Sequence, residues 1–258
     1  MNTFPGKIVF ITGASSGIGE ASAWKFAEAG ARLIITARRL ENLTALSKKI
    51  SEKYGVKILA IQLDVTKHAA VRDTIENLPA EWKDIDILIN NAGLAIGTDR
   101  FQESDPDEWE AVIDTNIKGL LYCTRHVLKN MLKRNSGHII NIGSLAGHEV
   151  YAGGSVYCAT KHAVLAISKI LKLDLVGTDI RVSSIDPGMV ETGFSVVRFR
   201  GDKNRAKKVY EGMTPLTADD VAEAVIFCAG RPPHVNISEI IMMPTDQASV
   251  TSVNRKSK

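Results

Sequence analysis

The segment Thr12-Gly-Ala-Ser-Ser-Gly-Ile-Gly19 sets three glycines between an apolar run, residues 8–12, and a stretch of helical period, residues 18–29. A strand that ends in such a turn hands over to a helix within a few residues, which is the βα junction of a parallel sheet. The helix start then leaves free backbone amides facing the turn, a natural partner for phosphate oxygens. Gly13 permits the tight turn, Gly17 lets backbone approach a pyrophosphate, and Gly19 permits close helix packing. Ser15, Ser16 and Ile18 share the turn and are expected beside the ligand. The alternative, a glycine turn with no ligand, is disfavoured by the clear strand and helix signals on either side.

The pattern repeats along the chain. Short runs rich in Val and Ile alternate with amphipathic segments, as in a parallel sheet covered on both faces. Strands are expected at 8–12, 32–36, 58–62, 87–90, 138–142, 181–185 and 239–242. Helices are expected at 18–29, 40–54, 69–78, 109–133, 156–175 and 218–229, with Pro106 and Asp107 opening the fourth. The fold class is therefore α/β, a single doubly wound Rossmann domain of seven parallel strands spanning residues 1–258. Residues 189–217 break the alternation with three glycines, a proline and a short helical piece at 204–210. A connection that long suggests a functional loop over the substrate.

Composition narrows the function classes. With 45% hydrophobic and 24% charged residues the chain is an ordinary globular protein, and a dispersed net charge of +3 gives no nucleic-acid footprint. The basic end at 254–258 reads as a solvated tail. Cys123, Cys158 and Cys228 match no metal-ligand spacing, so no metal or disulfide framework is expected. No run has the length of a membrane span and the start has no signal-peptide layout, which together point to the cytoplasm.

The second strand ends in Thr36-Ala-Arg-Arg39, where a dinucleotide fold meets the adenine ribose. No carboxylate waits there for a 2′-hydroxyl. Arg38 and Arg39, with Ser15, suit a 2′-phosphate instead, so NADP(H) is preferred over NAD. Asp64 and Val65 follow the third strand, where Asp64 is open to two readings, an adenine contact or a cap near Thr66. Asn90-Asn-Ala-Gly93 ends the fourth strand. Its asparagines are expected chiefly to stabilise turn and sheet, with Asn91, Ala92 and Gly93 also at the cofactor.

Tyr157 and Lys161 stand four residues apart, on one face of an expected helix. A nearby cation favours phenolate, and so would poise Tyr157 for proton transfer at a substrate oxygen. Ser144, just past the fifth strand, could hold the same oxygen, and Asn116 could order a water beside Lys161. A Tyr/Lys pair alone is usually a surface pair, but here all these residues are brought to one sheet edge.

In this order, TGxxxGxG, NNAG and the Asn, Ser, Tyr, Lys set, the chain resembles the short-chain dehydrogenase/reductase family over nearly all of its 258 residues. The resemblance implies Tyr157 as acid/base, Lys161 on the cofactor ribose, Ser144 on the substrate and Asn116 in a proton relay. It places Pro187, Gly188, Val190 and Thr192 at the nicotinamide carboxamide, and puts Ala37 where NAD-preferring members have Asp. The loop segments 84–93, 191–202, 214–220 and 244–249 are similar to those of NADP-dependent 3-hydroxy acid dehydrogenases. That implies a serine, allo-threonine or 3-hydroxypropionate type of substrate, and a homotetramer. Arg198 and Arg200 lie on the long loop, where one could meet a substrate carboxylate or both could pair with surface acids. The rival readings are a broad carbonyl reductase of ketones, aldehydes or diketones, a ketoacyl carrier-protein reductase, which would show a basic docking patch, and a nucleotide-binding protein without activity.

Overall fold

The computed structural model describes residues 3–256. In chain order it runs β1 (Ile8–Thr12), α1 (Gly17–Glu28), β2 (Arg32–Ala37), α2 (Leu40–Tyr54), β3 (Ile58–Gln62), α3 (His68–Glu76), β4 (Ile87–Asn90), α4 (Pro106–Ile113), α5 (Leu120–Arg134), β5 (Gly137–Ile142), α6 (Ser155–Asp174), β6 (Ile180–Pro187), α7 (Phe194–Arg198), α8 (Lys203–Lys208), α9 (Ala218–Ala229) and β7 (Glu239–Met242). The seven strands form one parallel sheet in the order β3-β2-β1-β4-β5-β6-β7.

Burial on both faces explains the unbroken apolar character of β1 and β4, all of whose residues are buried. Side chains alternate between two cores. Val9 and Ile11 join Phe26 of α1, Leu43 and Ile50 of α2 and Val225 of α9 on one face. Ile8 and Phe10 join Val71 of α3 and Val127 and Met131 of α5 on the other. Each large apolar side chain so buried stabilises the fold by roughly 2 kcal/mol. The chain leaves β1 toward β2 and β3 on one side and returns to β4 on the other. Connections from these two neighbours therefore diverge, and a crevice opens beyond their carboxyl ends.

Helix ends obey local chemistry. Asp105 caps α4 by accepting from the Asp107 amide at 2.9 Å, with Pro106 in the first turn. Thr217 and Asp220 form a reciprocal capping box on α9. The helix expected over 109–133 is unbroken from Pro106 to Arg134 but is not α-helical throughout. α4 and α5 are joined by a π-helical turn, Asp114–Gly119. A π turn adds a residue to one turn and re-aims its side chains, and here it directs Asn116 at the chain that follows β4. Among the described residues no helix is long and apolar enough to cross a membrane.

Candidate active site

The crevice beyond β1 and β4 is a cleft of about 1020 Å³ lined by the glycine turn, the ends of β2 to β6 and the loop after β6. At its nucleotide end Gly13 and Gly17 adopt φ of +66° and +59°, which a side chain would disfavour. A Cβ at Gly19 would fall 2.5 Å from Asn91 Nδ2 and 2.6 Å from the Gly13 carbonyl, so Gly19 is fixed by the turn and Asn91. Asn91 Nδ2 donates to the Thr12 and Gly13 carbonyls, while Thr12 Oγ1 accepts from the Asn91 and Ala92 amides. These bonds join the turns after β1 and β4. Asn90 faces the sheet, donating to Thr124 Oγ1 and Asn141 Oδ1 at 2.9 Å.

Ser15, Ser16, Gly17, Ile18, Ala92 and Gly93 line the cleft. Arg38 and Arg39 are exposed at the end of β2, and Arg39 donates to Ser15 Oγ at 3.3 Å. Asp64 also lines the cleft, but its Oδ1 is held by the Thr66 amide and hydroxyl at 3.0 and 2.8 Å. It closes a local turn, and Lys67, not Asp64, stands at the N-cap of α3. Val65 packs under Gly119, where a Cβ would come within 2.7 Å of it. A narrow glycine cradle, an open helix start and two guanidiniums by a hydroxyl fit a dinucleotide carrying a ribose phosphate.

At the other end, Tyr157 and Lys161 project from the first turns of α6. Lys161 is buried and donates to the Ile142 carbonyl at 2.8 Å, with its Nζ 5.9 Å from the Tyr157 ring centre. Ser144 begins the turn after β5. Its Oγ accepts from the Ala146 amide at 3.1 Å and reaches the Pro187 carbonyl at 3.5 Å. Asn116 bonds both the amide and the carbonyl of Leu94 and donates to Thr160 Oγ1 at 3.0 Å, next to Lys161 in sequence.

Burial and charge act on both members of the Tyr157/Lys161 pair. Tyr157 is held above the ordinary phenol range by burial, and the groups that pull it back are a Ser144 hydrogen bond and the Arg198 charge. Lys161 is pushed down to about 8 by burial, against a rise due to Asp186.

Above this end runs the loop after β6. Pro187, Gly188, Val190 and Thr192 line the cleft, and a Cβ at Gly17 would lie 3.5 Å from Thr192. α7, which the sequence did not suggest, carries Phe194 to within 5.6 Å of the Tyr157 ring. The loop is secured by its own bonds: Ser195 Oγ to Tyr210 Oη at 2.7 Å, Tyr210 Oη to the Val190 carbonyl at 2.8 Å, and the Gly97 amide to the Arg198 carbonyl at 2.9 Å.

The two loop arginines part company. Arg198 faces the cleft, its guanidinium 5.2 Å from the Tyr151 ring centre and 5.9 Å from that of Tyr157, and its buried Nε has no hydrogen-bond partner. Arg200 is exposed and bonds Glu108 at 2.6 and 2.8 Å and Asp99 at 2.5 Å. Its expected substrate role is corrected by that pairing, because two carboxylates already satisfy its fork outside the cleft. Tyr151, Phe194 and Tyr210 also line the site and were not singled out from sequence. The one signal for Tyr151 was its place just before Gly153-Gly154 at the start of α6.

A family model described as short chain dehydrogenase matches residues 7–202. The NADP-dependent 3-hydroxy acid dehydrogenase YdfG of Salmonella typhi is 50% identical over 242 residues, covering 93% of this chain and 96% of that one. Sulfoacetaldehyde reductase 2 of Chromohalobacter salexigens is 43% identical over 250 residues, covering 96% and 98%. A solved structure of the closed form of serine dehydrogenase complexed with NADP+ has a TM-score of 0.90 and 46% identity, covering 97% of this chain and all of that one.

Proposed function

The chain belongs to the short-chain dehydrogenase family, and we propose that it moves a hydride between NADP(H) and a small 3-hydroxy acid/3-oxo acid pair of the serine, allo-threonine or 3-hydroxypropionate type. The observation that carries the substrate class is Arg198, a cleft-facing guanidinium with an unpartnered Nε beside Tyr157. A carboxylate is its natural partner, and so is the sulfonate of the substrate in the name of one relative.

Gly13, Ser15, Ser16, Gly17, Ile18, Arg38, Arg39, Asp64, Val65, Asn91, Ala92 and Gly93 would hold the nucleotide, with Pro187, Gly188, Val190 and Thr192 at its nicotinamide end. When bound there, the dinucleotide gives or takes the hydride. The chain's residues manage the oxygen and its proton. In reduction Tyr157 Oη gives its proton to the carbonyl oxygen, and in oxidation it takes that proton back. Ser144 Oγ orients the same oxygen. Lys161 supplies positive charge beneath the phenol, and Asn116 fixes Leu94 and Thr160 around it. The proposal extends to a homotetramer in the cytoplasm, supported by free Cys123, Cys158 and Cys228 and by the exposed Ile170, Leu173 and Val176 at the end of α6.

The test is an NADP-linked assay of 3-hydroxypropionate, serine, allo-threonine and 3-hydroxyisobutyrate beside simple secondary alcohols. Hydroxy acids are expected to dominate, and Tyr157→Phe to lower turnover about a thousandfold without loss of NADPH binding. Preference for uncharged alcohols would transfer the chain to the carbonyl reductases. Retained turnover in Tyr157→Phe would remove the phenol from the reaction.

A further inference from the structure

Behind the Ser144 turn lies a group of titratable side chains that the proton chemistry above leaves unused. Asp186, near the end of β6, is wholly buried. A carboxylate so placed must be balanced by its neighbours. Its Oδ1 accepts from Ser184 Oγ at 2.7 Å, and its Oδ2 lies 3.2 Å from His148 Nε2, which also reaches Glu239 Oε1 at 3.3 Å. His148 sits just past the Ser144 turn and Glu239 opens β7, both only partly exposed.

This carboxylate presses on the turn from inside. A Cβ at Gly143 would fall 1.8 Å from Asp186 Oδ1, so no side chain fits there. Gly143 separates two functional neighbours: Ile142, whose carbonyl anchors the Lys161 ammonium, and Ser144. Among the described residues Asp186 is the buried acid and Lys161 the buried lysine. An ammonium removed from water and bonded to a neutral carbonyl needs an opposing charge to stay protonated. Asp186 is contacted by His148 from the turn after β5, by Ser184 from its own strand and by Gly143; Glu239 of β7 reaches His148, and the Lys161 ammonium is held by the carbonyl of Ile142, the residue before Gly143.

We propose that Asp186 is a positioning residue of the reaction: it is the internal counter-ion of Lys161 and the packing partner of the Ser144 turn, with Ser184 and His148 holding its carboxylate in place. This rests on the reading of Tyr157 and Lys161 given above. Asp186 opposes the downward push of burial on Lys161. Without its charge the ammonium gives up its proton at lower pH.

Two readouts test this on the full-length protein. In a heteronuclear NMR titration, the ε-methylene signal that disappears in Lys161→Arg reports Lys161 directly. Its midpoint, near 8 in the parent, is expected to fall by about one pH unit in Asp186→Asn. The alkaline limb of kcat/KM for 3-oxo acid reduction with NADPH should move the same way, and Asp186→Glu should restore both. If Asp186→Asn does not fold, Glu239→Lys alters the charge from the rim and should move both readouts in the same direction by a smaller amount. A folded Asp186→Asn with both readouts unmoved overturns the inference, as does an unmoved Lys161 titration in Glu239→Lys. Turnover surviving in Tyr157→Phe would instead sink the reading of the reaction centre, while the Lys161 titration would still report on Asp186.

Discussion

At the scale of single residues, cofactor choice is expected to turn on three positions at the end of β2. Ala37 is small and buried, and Arg38 and Arg39 stand exposed beyond it, one of them bonded to Ser15. A carboxylate at 37 would repel a ribose phosphate and accept from a ribose hydroxyl, and loss of a guanidinium would compound the effect. The double variant Ala37→Asp/Arg38→Ala is therefore expected to move the NADP/NAD ratio of kcat/KM toward NAD by at least tenfold, one or two charge-assisted hydrogen bonds' worth. Steady-state kinetics with both cofactors would decide, and unchanged selectivity would mean that the arginines simply end the strand in water. The placement of much of this end was legible as text, because three glycines between a strand and a helix fix the turn that lines the cleft. Asp186 was not legible. It reads as one acid in a strand, and only the contact across to Gly143 shows what it presses upon.

At the scale of elements, the loop after β6 divides its two arginines between an inner and an outer job. α7 turns Arg198 toward Tyr151 and Tyr157, while two residues later the backbone reaches a φ of 52° and sends Arg200 out to Glu108 and Asp99. Arg198→Ala is expected to raise KM for hydroxy acids by ten- to a hundredfold, about 1.5 to 3 kcal/mol for a charged hydrogen bond. Arg200→Ala should alter it less than about threefold, since exposed pairs contribute little. Equal effects from the two would refute this division. From sequence both arginines looked alike, because their orientation depends on a five-residue helix too short for periodicity to reveal. The π turn was hidden for a related reason: residues 109–133 keep a helical pattern of apolar positions, and the extra residue shows only in the backbone of Asp114–Gly119. The strands, by contrast, were read to within a residue or two, because burial on both faces writes continuous Val and Ile runs. Their lateral order was not, since it depends on pairings between distant segments.

For the molecule as a whole, one buried base in the sheet shapes the response to acid. His138 in β5 is buried, bonds Ser183 Oγ through Nε2 at 2.8 Å and leaves Nδ1 without a partner. Burial, helped by the Arg181 charge, pushes its pKa down to about 3. The unfolded chain takes up this proton near pH 6.5 while the native protein refuses it, so stability is whole above that value and falls as pH drops from about 6.5 toward about 3. Urea unfolding at pH 7 and pH 5 should show the parent losing about 2 kcal/mol more than His138→Gln, and equal losses would mean that His138 is protonated in place. The loop bonds from Tyr210 to Ser195 and Val190, and from Gly97 to Arg198, carry a different lesson about the same molecule. A roof pinned by its own struts needs little energy to settle on a guest and must be unpinned to let one go. Loosening Tyr210 should make it quicker to empty and less discriminating about what it admits.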